Sequence, residues 1–179
     1  MDGIANIALT PGARYWVPMA SAGRVALFAE LAATGGGPRG WLAATGGVLV
    51  NLRVWENVLL PSSYYGVKPC PDDARRLEDI LGSLGIQECE KFWGSRVDAL
   101  SAYQRPLVVA LRTLMTRPSL ILAESEWFNH LTSRQVEVLS GMFATECADA
   151  TWVVAGNVAP APEWGEFQRI DVEDERVNQ

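Results

Sequence analysis

The sequence predicts an α/β fold with a mostly parallel sheet. Two short apolar runs, residues 120–123 and 151–155, each follow a segment whose apolar residues recur with helical spacing. Buried strands that alternate with helices in this way are typical of parallel sheets that are covered on both faces. The 179 residues are 49% apolar and 20% charged, which is enough for one domain with its own core.

Four further strands are predicted outside this central pair. Residues 7–10 and 13–17 flank a Pro-Gly pair that favours a turn, so they predict a hairpin at the start of the chain. Residues 41–44 predict another short strand. A last edge strand and a solvated acidic tail are predicted from Ile170 onward.

Helical spacing of apolar residues recurs in five segments. It predicts helices over residues 25–34, 54–60, 72–84, 103–115 and 133–147. Pro61 is expected to end the second helix, because proline lacks the backbone N–H that would continue it. Gly85 is expected to end the third.

Charge, cysteine content and hydropathy narrow the possible functions. Fifteen basic and 21 acidic side chains give a net charge of −6, which argues against nucleic acid as a partner. The three cysteines show no spacing typical of a disulfide framework or a zinc site. Charged residues interrupt every apolar stretch short of the roughly 18 residues of a spanning helix, and the first residues do not read as a signal peptide. We therefore expect a cytoplasmic protein.

Three segments in fixed order carry a family resemblance. They read LTPGAR at residues 9–14, NLRVWENVLLP at residues 51–61, and LSAYQR at residues 100–105 followed by PSLILAE at residues 118–124. In this order they resemble the ATP-binding subunits of ABC transporters. The second segment is especially similar to the Mla-like branch, which powers lipid and organic-solvent transport through bacterial envelopes.

The resemblance implies a shortened P-loop-NTPase core. The whole chain, residues 1–179, is expected to form one such domain, with a helical subdomain inserted at about residues 54–98. The segments before Pro18 and between Arg24 and Ala44 are shorter than in the family. The antiparallel β-subdomain that carries the adenine-stacking aromatic is therefore expected to be largely missing.

The frame that matches the family's phosphate loop runs over residues 18–25. Such a loop needs glycines for close backbone approach, a lysine for the terminal phosphates and a hydroxyl for magnesium. Here Pro18 removes a backbone N–H, Gly23 and Arg24 keep one glycine and one cation, and Val25 has no oxygen for a metal. The expected outcome is weak or absent binding of ATP and Mg²⁺.

By the same resemblance, the positions that serve hydrolysis have changed. The glutamine, aspartate, glutamate and histidine of the family correspond to Ala44, Glu124, Ser125 and Gly156. Only Glu124 keeps a carboxylate, while Ser125 cannot polarise water and Gly156 has no side chain to stabilise developing charge. These changes predict a pseudo-ATPase with no catalytic residues and no metal site.

The signature motif of the family also departs from its usual LSGGQ. It corresponds here to Ser101, Ala102, Tyr103 and Gln104. Ser101 and Gln104 keep the family's residue types, but Tyr103 places a phenol where the family's backbone approaches phosphate. Taken together, the altered positions predict no bound cofactor.

The resemblance points to a docking role for the region after Asn51. It implies a groove that receives a cytoplasmic helix of a membrane permease, with the candidate partner-binding residues Trp55, Leu59, Leu60, Tyr64 and Tyr65. Docking on a permease, or on an intact ATPase subunit as a homo- or heterodimer, would place the chain on the inner face of the cytoplasmic membrane. If these side chains are the working surface, they should be partly exposed; core packing is the alternative.

Two other functions remain open from the sequence. The chain could contribute half of a composite ATP site in a heterodimer, or it could bind nucleotide as a sensor without hydrolysis. The lone His130 matches no family histidine and is expected to be a polar loop residue.

Overall fold

A five-stranded, fully parallel sheet organises the chain in the computed structural model, which describes residues 8–34, 36–66 and 70–171. The strands are β1 (Arg14–Pro18), β2 (Arg39–Leu42), β3 (Leu120–Glu124), β4 (Thr151–Gly156) and β5 (Gln168–Arg169). Their order across the sheet is β2-β3-β4-β1-β5, and every pairing is parallel. The predicted α/β class with a parallel sheet is confirmed.

Seven α-helices surround or extend this sheet in the described residues. They are α1 (Ser21–Ala33), α2 (Val54–Tyr65), α3 (Pro71–Ser83), α4 (Cys89–Gly94), α5 (Arg105–Thr116), α6 (Ser125–Phe128) and α7 (Ser133–Glu146). Short 3-10 turns occupy Val97–Ala99 and Pro162–Trp164. The five predicted helices are all present, with ends that differ by a few residues.

The central strands are apolar on both sides because helices cover both faces of the sheet. Leu120, Leu122 and Val153 pack with α1 on one face. Alternate residues of the same strands, Ile121 and Trp152 among them, pack with the other helices on the opposite face. The helices of residues 54–94 share this second core, whereas their division into a separate subdomain stays a prediction.

The predicted N-terminal hairpin is wrong for the part that the structure describes; Ile7 lies outside it. Thr10 and its neighbours form no strand, although Pro11 and Gly12 do form a turn in which the Ala13 N–H donates to the Thr10 carbonyl at 3.1 Å. β1 pairs instead with β4 and β5, and the Gly12 N–H donates to Thr151 Oγ1 at 3.1 Å. Both edges of β1 are therefore paired within the parallel sheet, and no edge is left for a hairpin partner.

Helix α2 does not end at Pro61, as the sequence predicted, but continues to Tyr65. A proline inside a helix costs about 3 kcal/mol, so neighbouring contacts must compensate. Asn57 is fully buried, and its side-chain amide donates to the carbonyls of Leu49 at 2.9 Å and Arg53 at 3.1 Å. The helix ends at Gly66, whose φ of 67° is the left-handed conformation typical of a helix C-terminus.

Two other strand predictions need smaller corrections. The strand predicted at residues 41–44 lies two residues earlier, as β2. Gly40 is required there because a side chain would run into Thr113 of α5 and would lie 3.1 Å from Pro118 Cγ. The edge strand predicted from Ile170 is the two-residue β5 just before it, and most of the predicted tail lies outside the described residues.

The described residues form no antiparallel sheet; their one isolated antiparallel bridge joins Arg53 and Arg96. This agrees with the expected shortened core. In the same part of the chain, no helix is both long and apolar enough to cross a membrane. Cys70, Cys89 and Cys147 are free thiols.

Candidate functional site

The carboxyl ends of the strands bring most of the predicted site residues to one edge of the sheet. In the register, Pro18 lies opposite Gly156, and Glu124 lies opposite Ala155. The Ala44 N–H donates to Glu124 Oε2 at 2.9 Å, which ties the loop after β2 to the end of β3. Parallel α/β sheets bind ligands at this edge.

The turn between β1 and α1 is short, and two of its backbone donors, the Met19 and Gly23 N–H groups, are used within the protein. The strand runs to Pro18 and the helix begins at Ser21, so Gly23 lies inside the first helical turn. The Met19 N–H donates to the Gly156 carbonyl at 3.1 Å, and the Gly23 N–H donates to the Ala20 carbonyl at 3.2 Å. A Cβ on Gly23 would lie 3.1 Å from Met19 Sδ, so the Met19 side chain packs directly over it.

Arg24 is buried and forms a two-pronged ion pair with Glu126, the residue that follows Ser125. Its Nη2 donates to Glu126 Oε1 at 2.6 Å, and its Nη1 donates to Oε2. The guanidinium holds the pKa of the Glu126 carboxyl below its usual value. This geometry is how arginine binds a carboxylate or a phosphate. One of the protein's own carboxylates therefore binds the arginine that the sequence resemblance matches to the family's lysine.

Val25 follows Arg24 in α1 and points to a different side of the helix. It is 69% exposed, whereas Arg24 is buried. It has no oxygen to offer a metal, and its position adds a second obstacle, because a neighbour in the helix points about 100° away from Arg24.

Ser125 and Gly156 touch one another at the sheet edge. Both are buried, and a Cβ on Gly156 would lie 2.5 Å from Ser125 Cβ and closer still to Ser125 Oγ. Real Cβ atoms essentially never approach a neighbour so closely. No side chain fits at position 156 while Ser125 stays in place.

The signature segment, residues 101–104, forms a turn that leads directly into α5. The Ser101 N–H donates to Gln104 Oε1 at 3.1 Å, and the Arg105 N–H donates to the Ser101 carbonyl at 3.2 Å. Tyr103 projects into solvent with 61% of its surface exposed. Ala102 lines a pocket of about 350 Å³ together with Ala44 and His130. His130 is exposed in a loop, as predicted.

The five predicted partner-binding residues do not form one patch, because they lie on two sides of α2. Trp55 and Leu59 line a pocket of about 270 Å³ toward α3 and α4. Leu60, Tyr64 and Tyr65 line a larger groove toward α1. The expected exposure is present: Trp55 is 45%, Leu60 44% and Tyr64 84% exposed.

The larger groove, which we call the α1–α2 groove, has a volume of about 960 Å³. One wall is α1, through Val25, Phe28, Ala29 and Ala32, and the other is the second half of α2. The groove passes the free edge of β2, where Trp41 packs edge-to-face on Phe28 with ring centroids 6.3 Å apart. It is open to solvent and mostly apolar.

Two residues with a clear place in this arrangement were missed at the sequence level. Glu126 neutralises Arg24, and the available signal was an acidic residue two positions after a buried strand. Arg112 of α5 reaches the groove and lies beside the loop after β2, where its Nη2 is 3.6 Å from the position of a Cβ on Gly47. Helical periodicity marks Arg112 only as one polar residue of a mostly apolar helix.

Comparison with known proteins gives matches among solved structures alone; no protein-family model and no curated protein matches the chain. An ATP-binding subunit of an ABC transporter superposes with a TM-score of 0.74 at 14% identity, over 92% of this chain and 76% of that one. A dimeric bacterial ABC transporter cassette gives 0.70 at 18% identity, over 93% and 86%. A metal-chelate-type ABC transporter in an inward-facing conformation gives 0.58 at 18% identity, over 83% and 64%.

Sequence identities this low establish the fold and leave activity open. The strand order and the superpositions agree with the shortened core that the sequence predicted. The chain has the fold of the ATP-binding domains of ABC transporters.

Proposed function

We propose that the chain is a non-catalytic, ABC-ATPase-like subunit that docks on a membrane permease through the α1–α2 groove. Two of the matched structures support an assembly role for this fold: one is an ABC transporter in an inward-facing conformation and another is a dimeric cassette. The observation that carries the proposal is an exposed apolar groove beside a sheet edge at which the Arg24 guanidinium already binds Glu126.

The residues at the sheet edge do not fit the MgATP that this fold family binds. A phosphate would need the Arg24 guanidinium, both prongs of which bind Glu126. It would also need backbone donors such as the Met19 and Gly23 N–H groups, which donate to the carbonyls of Gly156 and Ala20. Val25 supplies no oxygen for magnesium. Each of these groups would have to be released or replaced before a nucleotide could bind.

The positions for water activation argue in the same direction. Ser125 carries a hydroxyl in place of a carboxylate, and its contact with Gly156 leaves no room for a histidine. The remaining carboxylate, Glu124, accepts a hydrogen bond from the Ala44 N–H. Loss of several independent catalytic contributions, each commonly worth orders of magnitude in rate, supports a pseudo-ATPase.

The α1–α2 groove has the character of a protein-binding surface. Monomeric proteins rarely expose contiguous apolar surface of this kind without a binding role. Tyr64 and Tyr65 stand at its rim with their rings edge-to-face and centroids 5.0 Å apart, and tyrosines are enriched among interface hot spots. An amphipathic helix is the segment that such a groove commonly receives.

The proposed partner is a permease of an envelope lipid-type transporter, which the similarity of residues 51–61 to that branch favours. Docking would hold the chain at the inner face of the cytoplasmic membrane. An intact ATPase subunit could share the complex as a second partner and supply the hydrolysis that this chain lacks.

Co-purification from membranes tests the proposal. The full chain would be tagged in its native host, and detergent extracts of wild type, Leu60→Arg and Val158→Arg would be compared. Val158 is a matched control, because it is also an exposed aliphatic residue but lies in the loop after β4. Wild type and the control should retain a permease that Leu60→Arg loses. Equal retention by all three, or no permease with any, would refute docking through this groove.

A further inference from the structure

The charges that line the α1–α2 groove are opposite in sign to those of the protein as a whole. The chain carries a net charge of −6. Among the described residues that line the groove, the charged ones are Arg39 and Arg112, with no aspartate or glutamate. An apolar groove with only positive charge is complementary to an apolar segment that carries negative charge.

Of the two arginines among the described groove residues, Arg112 is the one without an internal partner. Within the described part of the chain, its guanidinium has no hydrogen bond, ion pair or ring contact. It is half-buried, and this desolvation lowers its pKa from the usual value. Arg39 differs, because it donates to Ser119 Oγ at 3.2 Å and to the Thr34 carbonyl. A guanidinium partly removed from water without a counter-charge is unfavourable, so a carboxylate that reached Arg112 would gain a partner already in place.

The shape of the walls favours a helix as the occupant. Ala29 and Ala32 are small, exposed and one turn apart on α1, so a second backbone can approach this wall closely. The opposite wall offers Leu60 and the two tyrosines over the last turns of α2. Apolar side chains of a bound helix, at helical spacing, would contact both walls of the groove. A residue of that helix that lies between these side chains would face the groove floor.

We infer that the groove binds an amphipathic helix whose apolar face carries one carboxylate, and that this carboxylate pairs with Arg112. The inference rests on the proposed docking function and specifies the chemistry of the docked segment. Arg112 then selects among helices of similar hydrophobicity, because a neutral or basic residue at that position leaves the guanidinium unpaired or repelled.

A displayed peptide library tests this pairing. The library consists of 18-residue helical peptides with fixed leucines at i, i+3, i+4 and i+7 spacing, and with Glu, Gln or Lys at every other position. The baits are the full chain as wild type, Arg112→Gln, Arg112→Glu and Ala29→Arg. The last variant fills the groove at an exposed helix position and identifies peptides that bind elsewhere.

Peptides that bind wild type and not Ala29→Arg should carry Glu at one fixed position. Changing that Glu to Gln should weaken binding to wild type roughly tenfold and should leave binding to Arg112→Gln nearly unchanged. The Arg112→Glu bait should instead select Lys there.

Three results would overturn the inference, and they differ in what they mean for docking. Groove-dependent peptides without any charge preference would refute the role of Arg112 and leave docking intact. An absence of groove-dependent peptides would count against both. Dodecanoate binding that depends on Arg112, in a groove that takes no peptide, would identify a free anionic amphiphile as the occupant.

Discussion

Replacing Gly156 with alanine should destabilise the protein through a direct collision with Ser125. The new methyl carbon would lie 2.5 Å from Ser125 Cβ and 3.3 Å from its backbone nitrogen. Rotation of the serine could move its hydroxyl away, but no rotation moves Cβ. Overpacking of a buried site of this kind costs about 1–3 kcal/mol. For a chain of this length, that corresponds to a fall in Tm of roughly 2–12 °C.

Thermal unfolding followed by circular dichroism measures this cost, and a double-mutant cycle assigns it. Ser125→Gly removes both colliding atoms, so Gly156→Ala should cost little in that background, with a coupling energy of about 1–3 kcal/mol. Gly141→Ala is the control, since nothing lies within 4 Å of the added carbon and alanine favours the helix. A Gly156→Ala protein as stable as wild type, or an additive cycle, would refute the close contact between Gly156 and Ser125 at the sheet edge.

Three further predictions concern the ion pair, a thiol and the aromatic residues. Because its native pKa is lowered, Glu126 should stabilise the fold above its unfolded pKa of about 4.3 and lose this contribution as the pH falls through the native pKa. Urea titrations of Glu126→Gln should therefore lack that acid-dependent loss; unchanged pH dependence would contradict it. Burial raises the pKa of Cys147 to about 11, so iodoacetamide at pH 8 should label exposed Cys70 and spare Cys147 in the native protein, with equal labelling as the contrary result. Tyr64→Ala should change stability by no more than about 0.5 kcal/mol, whereas Trp164→Ala, at 3% exposure, should cost about 3–5 kcal/mol; similar costs would show that Tyr64 packs in the core.

The central strands and their flanking helices could be predicted because their residues follow one simple rule. Residues such as Ile121 and Val153 belong to short runs that are apolar on both sides, which only a strand covered on both faces requires. In the helices before and after these strands, apolar residues recur with the spacing of an α-helix. Local pattern and tertiary environment agree there, so the sequence alone was sufficient.

Predictions failed where a distant contact outweighed a local preference. Pro61 signals a helix end, but buried Asn57 and the left-handed Gly66 extend α2 past it. The Pro-Gly turn signals a hairpin, but β1 finds parallel partners more than 130 positions along the chain. Neither competing contact is visible in a window of neighbouring residues.

The candidate site was predictable as a set of positions and not as a set of contacts. Alignment to the family motifs placed Glu124, Ser125 and Gly156 at one strand edge, and the structure brings them there. The partner of Arg24 is Glu126, 102 residues away, and only the fold brings the two together. The two-sided character of α2 likewise depends on which helices lie beside it.

Calorimetric titration of the purified chain with MgATP tests the central claim most directly, since both an ATPase and a nucleotide sensor require binding at the sheet edge. With Arg24 paired to Glu126 and the Met19 and Gly23 N–H groups engaged, we predict no heat of binding for the wild-type chain. Binding with a Kd of about micromolar strength, lost in Arg24→Ala but kept in the exposed-site control Val158→Arg, would contradict the account.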